Sequence, residues 1–490
     1  MKSYVFLIFL LSILLMACET SDIDVEVSVF TEEVVFTSGE KVILTGRILA
    51  TDDVSVSEHG FQISENEDMS NPELISLGER TIPGRFVGEF DQLSIHLEYY
   101  CRAFIVENGT EKYGNVLEFS TLAPRIVDFA PKQGNQNNRI IFEGVNLTAD
   151  AIVLWNDKVI TPNSIEEESF LEITAPAPED LPYAEIKLVM QGDTIVLEDR
   201  FEYIIGTWED GPVISDGTRV DNHIYFEDED YFYYGLGVDK AIKNTISNIF
   251  RINKSTLEVD EVSHAGWAAE GSFYTTNGYF GGGSLNFVLD SDATLLNFTK
   301  FFKLEGESSV ELESIPAQLY KAVAFAHENF IYVYGGENVG RERNTKMYRY
   351  DISNDSWQDM GDTPIGPINE YPHFRIGSKN YFIDEEGKMM SHDVSTNSWE
   401  AMADYPDQVG TDGINIIFDN KAYVGLQNIS RKLFEYLPEE DRWREKKRNP
   451  NLDPSNTLGA WTTDETITVL RTDSQFGITR FFWILNPTAF

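Results

Sequence analysis

The sequence predicts an all-β protein: two small β-sandwiches followed by a six-bladed β-propeller that an early strand closes. Three observations carry this expectation. Almost no stretch shows a helical period, and alternating apolar runs bounded by Gly, Asn, Asp and Pro dominate. The first hundred or so residues after the leader hold short strands at sandwich spacing. Farther along, Trp357, Trp399 and Trp443 stand 42 and 44 residues apart, the range of propeller blades.

The leader lies outside that pattern. Lys2 precedes a 14-residue apolar run, Tyr4 to Ala17, shorter than the roughly 20 residues that span a bilayer. It has the length of a signal-peptide core. Leu15-Met16-Ala17-Cys18 resembles the lipobox of bacterial lipoproteins. The resemblance implies a signal peptide over 1–17, cleavage after Ala17, lipidation of Cys18 and a short linker over 18–23. Acyl chains on Cys18 make the membrane the first expected partner. Glu19, Asp22 and Asp24 resemble the export signals of Bacteroidota lipoproteins, which implies the cell-surface side of the outer membrane.

Composition excludes several classes. Lys and Arg total 38 against 81 Asp and Glu, a formal charge of −43. Such a chain repels phosphate backbones, so no nucleic-acid partner is expected. The one basic cluster, Arg442-Trp443-Arg444-Glu445-Lys446-Lys447-Arg448, is short. With Cys18 assigned to lipid, Cys101 stands alone, which excludes a disulfide framework. Cys101 reads as a buried thiol acting as a small hydrophobe. The seven histidines form no H-E-x-x-H motif, and neither metal nor cofactor is expected. Acidic Phe226 to Phe232 lacks the ligand spacing of a calcium loop and reads as a polar hairpin turn.

Residues 24–122 form the first expected sandwich. In "LEYYCRAFIVENG", Tyr99, Cys101, Ala103 and Ile105 alternate onto one face. Tyr99 sits two positions before Cys101, as a tyrosine-corner residue does. With "GFQISE" and "YYCRAFIVENGTEKYG", this segment resembles a fibronectin type III-like module of Bacteroidota surface proteins. Residues 123–203 follow. Their "PRIVDFAPKQGNQNNRIIFEGVNL" resembles the start of an IPT/TIG domain, which implies an immunoglobulin-like spacer or protein-contact module.

Residues 204–490 carry the repeat. "NDSWQDMGDTP", "TNSWEAMADYP" and "EDRWREKKRNP" each place Pro seven residues after Trp. With Tyr332-Val333-Tyr334-Gly335-Gly336, they resemble kelch repeats. Six blades use every segment once if residues around Ile204–Glu209, which include Trp208, complete the last one; otherwise its edge stays exposed. The tryptophans read as core between blades. Gly282-Gly283 and Gly335-Gly336 read as sites of close backbone approach, not phosphate loops.

Ligands of propellers approach the central channel. Counting eleven residues back from Phe232, Tyr279, Tyr332, Tyr381 and Tyr423 gives Asp221, Ala268, Lys321, Glu370 and Asp412. Around them stand Trp267, Tyr320, Tyr371, His373 and Arg375. This mixture of carboxylates, cations and flat rings suits sugars, though a solvated acidic rim is an equal reading. The resemblances imply a non-catalytic surface protein capturing glycan for an outer-membrane uptake system. Two alternatives stay open: a protein–protein adhesin or scaffold, and an enzyme like the kelch-type mutarotases. In the latter, Glu370, His373 and Arg375 serve as acid, base and carboxylate clamp. Copper chemistry of the galactose oxidase type is excluded, because residues 204–490 contain no cysteine. For the anchor, Cys18→Ala is expected to move the protein from the membrane to the soluble fraction on cell fractionation; retention in the membrane refutes the lipobox.

Overall fold

The computed structural model describes residues 26–490 except 167, 215–219, 240–243, 263–267, 286–295, 298, 339, 450–454 and 474–479. The leader, Cys18 and Trp267 therefore lie outside the described residues. These form antiparallel β-sheets with no helix. The chain divides into two compact units, Met1–Ala177 with Tyr183–Phe201, and Pro178–Pro182 with Glu202–Phe490.

In the first unit, Ser28–Thr37, Val42–Leu49 and Gly84–Phe90 form one sheet. Facing it is a sheet centred on Val56–Ser64 and Glu98–Glu107. Both contribute to one core, with Leu44, Phe61, Phe86 and Ile105 buried. The alternation read around Cys101 is realised, since Tyr99, Cys101, Ala103 and Ile105 are all buried. The Tyr99 hydroxyl accepts the Ser94 N–H at 2.9 Å, a bond back to backbone just upstream. Burial pushes the Cys101 thiol up to about 12, so no thiolate forms near neutrality. Beyond it, two further four-stranded sheets bury Phe142, Trp155, Leu171 and Leu188.

Beside a small three-stranded ladder of Val220–Asp221, Val238–Asp239 and Asn244–Thr245, the second unit is a succession of sheets built on a four-strand order, one of them with an added short strand. Their first strands are Ile224–Glu227, Glu270–Tyr274, Val323–His327, His373–Ile376, Ile414–Phe418 and Ser455–Thr462. First strands of neighbouring sheets touch in order, and Ser455–Thr462 returns to touch Ile224–Glu227. The third and fourth meet through the Phe325 and His373 rings, 5.8 Å apart. The sheets thus close a ring. The sixth takes its outer strand from the start of the unit: Thr207–Ile214 pairs antiparallel with Arg480–Asn486, Trp208 opposite Leu485. The outer side of Arg480–Asn486 is thereby covered, the constraint from which that pairing was expected.

Two of the three repeated tryptophans, Trp357 and Trp443, clamp neighbouring sheets, while Trp399 packs on the His392 and Phe382 rings. Trp357 Nε1 donates to the Glu313 carbonyl at 2.9 Å, while Asp355 accepts the Glu313 N–H at 2.9 Å. One sheet's outer corner thus holds both backbone groups of a single residue of the sheet before it. The Tyr350 hydroxyl fixes Asp355 at 2.7 Å. Two sheets later the same device recurs: Trp443 and Asp441 hold Ala403, with Tyr436 fixing Asp441. Trp208 Nε1 likewise donates to the Lys447 carbonyl at 2.6 Å.

The Gly-Gly pairs serve the same end. Gly336 has φ +79° and donates to the Pro367 carbonyl of the next sheet's leading segment at 2.8 Å. A Cβ there would lie 2.8 Å from the Tyr320 carbonyl oxygen, closer than side chains tolerate. Asp441→Ala leaves the Ala403 N–H and the Tyr436 hydroxyl without their acceptor. It is expected to lower the unfolding free energy by about 1–2 kcal/mol, read by urea denaturation; an unchanged midpoint refutes the clamp.

Candidate functional site

A belt of hydrogen bonds circles one end of the ring axis, at or just ahead of the start of the first strands. The Gly271 N–H donates to Asn222, Lys321 to Gly271, Asn369 to Lys321 and Thr457 to Asp412, at 2.6 to 3.3 Å. Asn222, Gly271, Lys321 and Asp412 all have φ between 52° and 63°, the left-handed region open to Gly and tolerated by Asn and Asp. Side chains complete the circuit. Asn415 Nδ2 donates to the His373 carbonyl, and His223 Nε2 bonds the Leu458 carbonyl at 2.6 Å. A carbonyl only accepts, so His223 carries its proton on Nε2.

Inside the belt lies a small cavity of about 80 Å³, lined by Glu370, Tyr371, Asp412 and His223 among others. Behind it, Tyr225, Tyr274 and Asn415 form a partition. The Tyr225 hydroxyl donates to Asn415 Oδ1 at 2.8 Å, and the two tyrosine rings lie 4.9 Å apart. Beyond the partition is a larger cavity of about 420 Å³ that reaches Thr276 and Gly377, at the turns closing the first hairpins. It exists because the sheets present unequal side chains to the axis. Where the first and second sheets bring Tyr225 and Tyr274, the third and sixth bring Ala324 and Ala460.

The expected site residues distribute as follows. Lys321 forms an ion pair with Glu370, and Glu370, Tyr371 and Asp412 line the small cavity. Asp221 pairs with Val238 in a short ladder beside His223, on whose ring both Asp412 and Asp221 act. Tyr371 donates its hydroxyl to Glu385 at 3.2 Å, with the Arg343 guanidinium over its ring. Tyr320 is no ligand platform. Its ring is buried and lies over Gly271, where a Cβ would come within 2.4 Å of it.

His373 and Arg375 line the large cavity instead, on the same face of their strand two residues apart. The grouping of Glu370 with His373 and Arg375 as acid, base and clamp is therefore not formed, because the Tyr225–Asn415 partition stands between their cavities. Burial pushes His373 down to about 4, and its Nδ1–H donates to the Tyr371 carbonyl at 2.9 Å. An Arg375 Nη donates to His327 Nδ1, so that imidazole is neutral with its proton on Nε2. Burial and the Arg375 charge both hold His327 below the usual histidine value.

Sequence reasoning missed Tyr225, Tyr274, Phe325 and Asn415. A signal existed: Tyr225, Tyr274, Ala324 and Asn415 each follow a belt residue by three positions. No family model and no curated protein matches the chain. Chains of solved structures do match. One, "Structure of YjhT", is 14% identical and covers 55% of this chain and 95% of that chain, with a TM-score of 0.44. That likeness assigns neither an activity nor a ligand.

Because native His373 resists protonation, the unfolded chain takes up that proton first as the pH falls below about 6.5. The stability tied to neutral His373 is whole above that value and declines as pH falls toward 4. His373→Gln is expected to flatten this part of the stability–pH curve by on the order of 1–3 kcal/mol, discounted for partial exposure. Parallel wild-type and variant curves between pH 4 and 6.5 refute it.

Proposed function

We propose that the chain is a lipid-anchored surface protein that binds a small sugar in the ring's large cavity without transforming it. In this reading the two sandwiches are a fibronectin type III-like and an IPT/TIG module, and the ring is a six-bladed kelch-type propeller. The cavity is the observation that carries the proposal. At about 420 Å³ it falls in the range of small-molecule sites, about 300–1,000 Å³. Its wall joins flat rings (Tyr225, Tyr274, Phe325) to planar hydrogen-bonding groups (His373, Arg375, Asn415). Rings cover the CH faces of a sugar, and fixed amide, imidazole and guanidinium groups take its hydroxyls.

Binding without turnover is favoured over mutarotase chemistry because the carboxylate proposed as acid, Glu370, lines the other cavity and is paired with Lys321. The remaining imidazole, His373, is held by the Tyr371 carbonyl. Glycan-array screening and calorimetry with the full chain test the reading. Tyr274→Ala is expected to weaken binding of any sugar found by about tenfold or more, the loss of one stacking face. Absence of binding to every mono- and oligosaccharide tested sinks the proposal.

A further inference from the structure

The large cavity carries one positive charge that the described residues leave unopposed. Arg375 is half-buried in its wall. Its Nε donates to the Gly377 carbonyl at 2.9 Å and one Nη donates to His327, both neutral partners. Among the described residues it forms no ion pair, and Glu328, which acts on it through space, sits exposed at a hairpin turn. Glu227, the carboxylate in the cavity wall, is held by Lys254 Nζ at 2.5 Å. His373 and His327 are neutral near pH 7. The wall is therefore positive in a molecule of net charge −43.

A wall that needed only packing gains nothing from a guanidinium without a counter-charge, since desolvating it is costly. Guanidinium geometry matches the two oxygens of a carboxylate, and the neighbouring rings are a sugar platform. Resting on the sugar-binding reading, we infer that the ligand is an anionic sugar, its carboxylate seated on Arg375. A phosphate would call for a second free cation, and Lys254 is committed to Glu227.

Calorimetry on the full chain with matched pairs, D-glucuronate against D-glucose and D-galacturonate against D-galactose, tests the inference. One uronate is expected to bind at least tenfold more tightly than its neutral partner, and Arg375→Gln to bring the pair within about twofold. Arg375→Lys, which keeps the charge and loses the fork, is expected to fall between. Thermal melting checks that the variants fold. If Arg375→Gln does not, wild-type salt dependence decides: a preference unchanged between about 50 and 500 mM salt overturns the inference. So does equal binding within both pairs, or a preference that survives Arg375→Gln. If only neutral sugars bind, this inference fails and the sugar site stands; if none binds, both fail.

Discussion

The second unit depends on the hydrogen-bonded belt around its axis. Apolar packing between sheets is non-directional and would tolerate sliding. The belt fixes where the sheets begin. At four of the six junctions the carbonyl of one leading residue receives the N–H of the next, and the Asn415 and His223 side chains bridge the other two. To aim those carbonyls, Asn222, Lys321 and Asp412 adopt positive φ, which costs roughly 1–2 kcal/mol at a residue with a side chain. Lys321 shows the constraint most plainly, having neither glycine's freedom nor the short polar side chain of Asn. Its strain persists because its N–H and its C=O are both committed to neighbouring sheets.

The outer rim repeats this logic with side chains. The Trp–Asp–Tyr corners hold one residue of the preceding sheet by both backbone groups, so a clamped sheet is fixed near the axis and again at its edge. The short basic cluster has a related job. Arg442, Arg444 and Lys446 alternate onto one side of a strand, where Glu202 and Glu435 meet them. Burial pushes the Glu435 carboxyl up, but Lys446, Arg444, the Tyr423 hydroxyl and Lys421 more than offset it and hold it low. Burial also brings Lys446 down to about 8. Glu202 lies five residues before the strand that closes the sixth sheet, so these charges secure the fifth sheet to the segment that completes the ring.

What was legible in the sequence was what repeats locally. Alternation marked the strands, and the spacing of Trp357, Trp399 and Trp443 marked the sheets. Counting eleven residues back landed on the belt at Lys321 and Asp412, one residue away at Asp221 and Glu370, and three away at Ala268, because the first hairpins differ in length. The cavity was not legible. Its volume comes from small Ala324 and Ala460 flanking Tyr225 and Tyr274 around the axis, and no local window contains that juxtaposition. Glu370, His373 and Arg375 misled for the opposite reason. They are close in sequence, yet the chain crosses the Tyr225–Asn415 partition between the first and the other two.

That partition gives the axis two chemically different ends. Behind the belt stand Asp412, Glu370 and the buried Glu270, whose carboxylate accepts the Asn222 amide at 2.9 Å. Toward the hairpin turns stands Arg375, beside Gly377. Opposite charges lie on opposite sides of a wall made by two tyrosines and an asparagine. Without the wall, Arg375 would share one open space with Asp412 and the Lys321–Glu370 pair. The Tyr225–Asn415 bond therefore does more than pack the axis: by dividing the channel it keeps the arginine's charge available to whatever enters from the hairpin side.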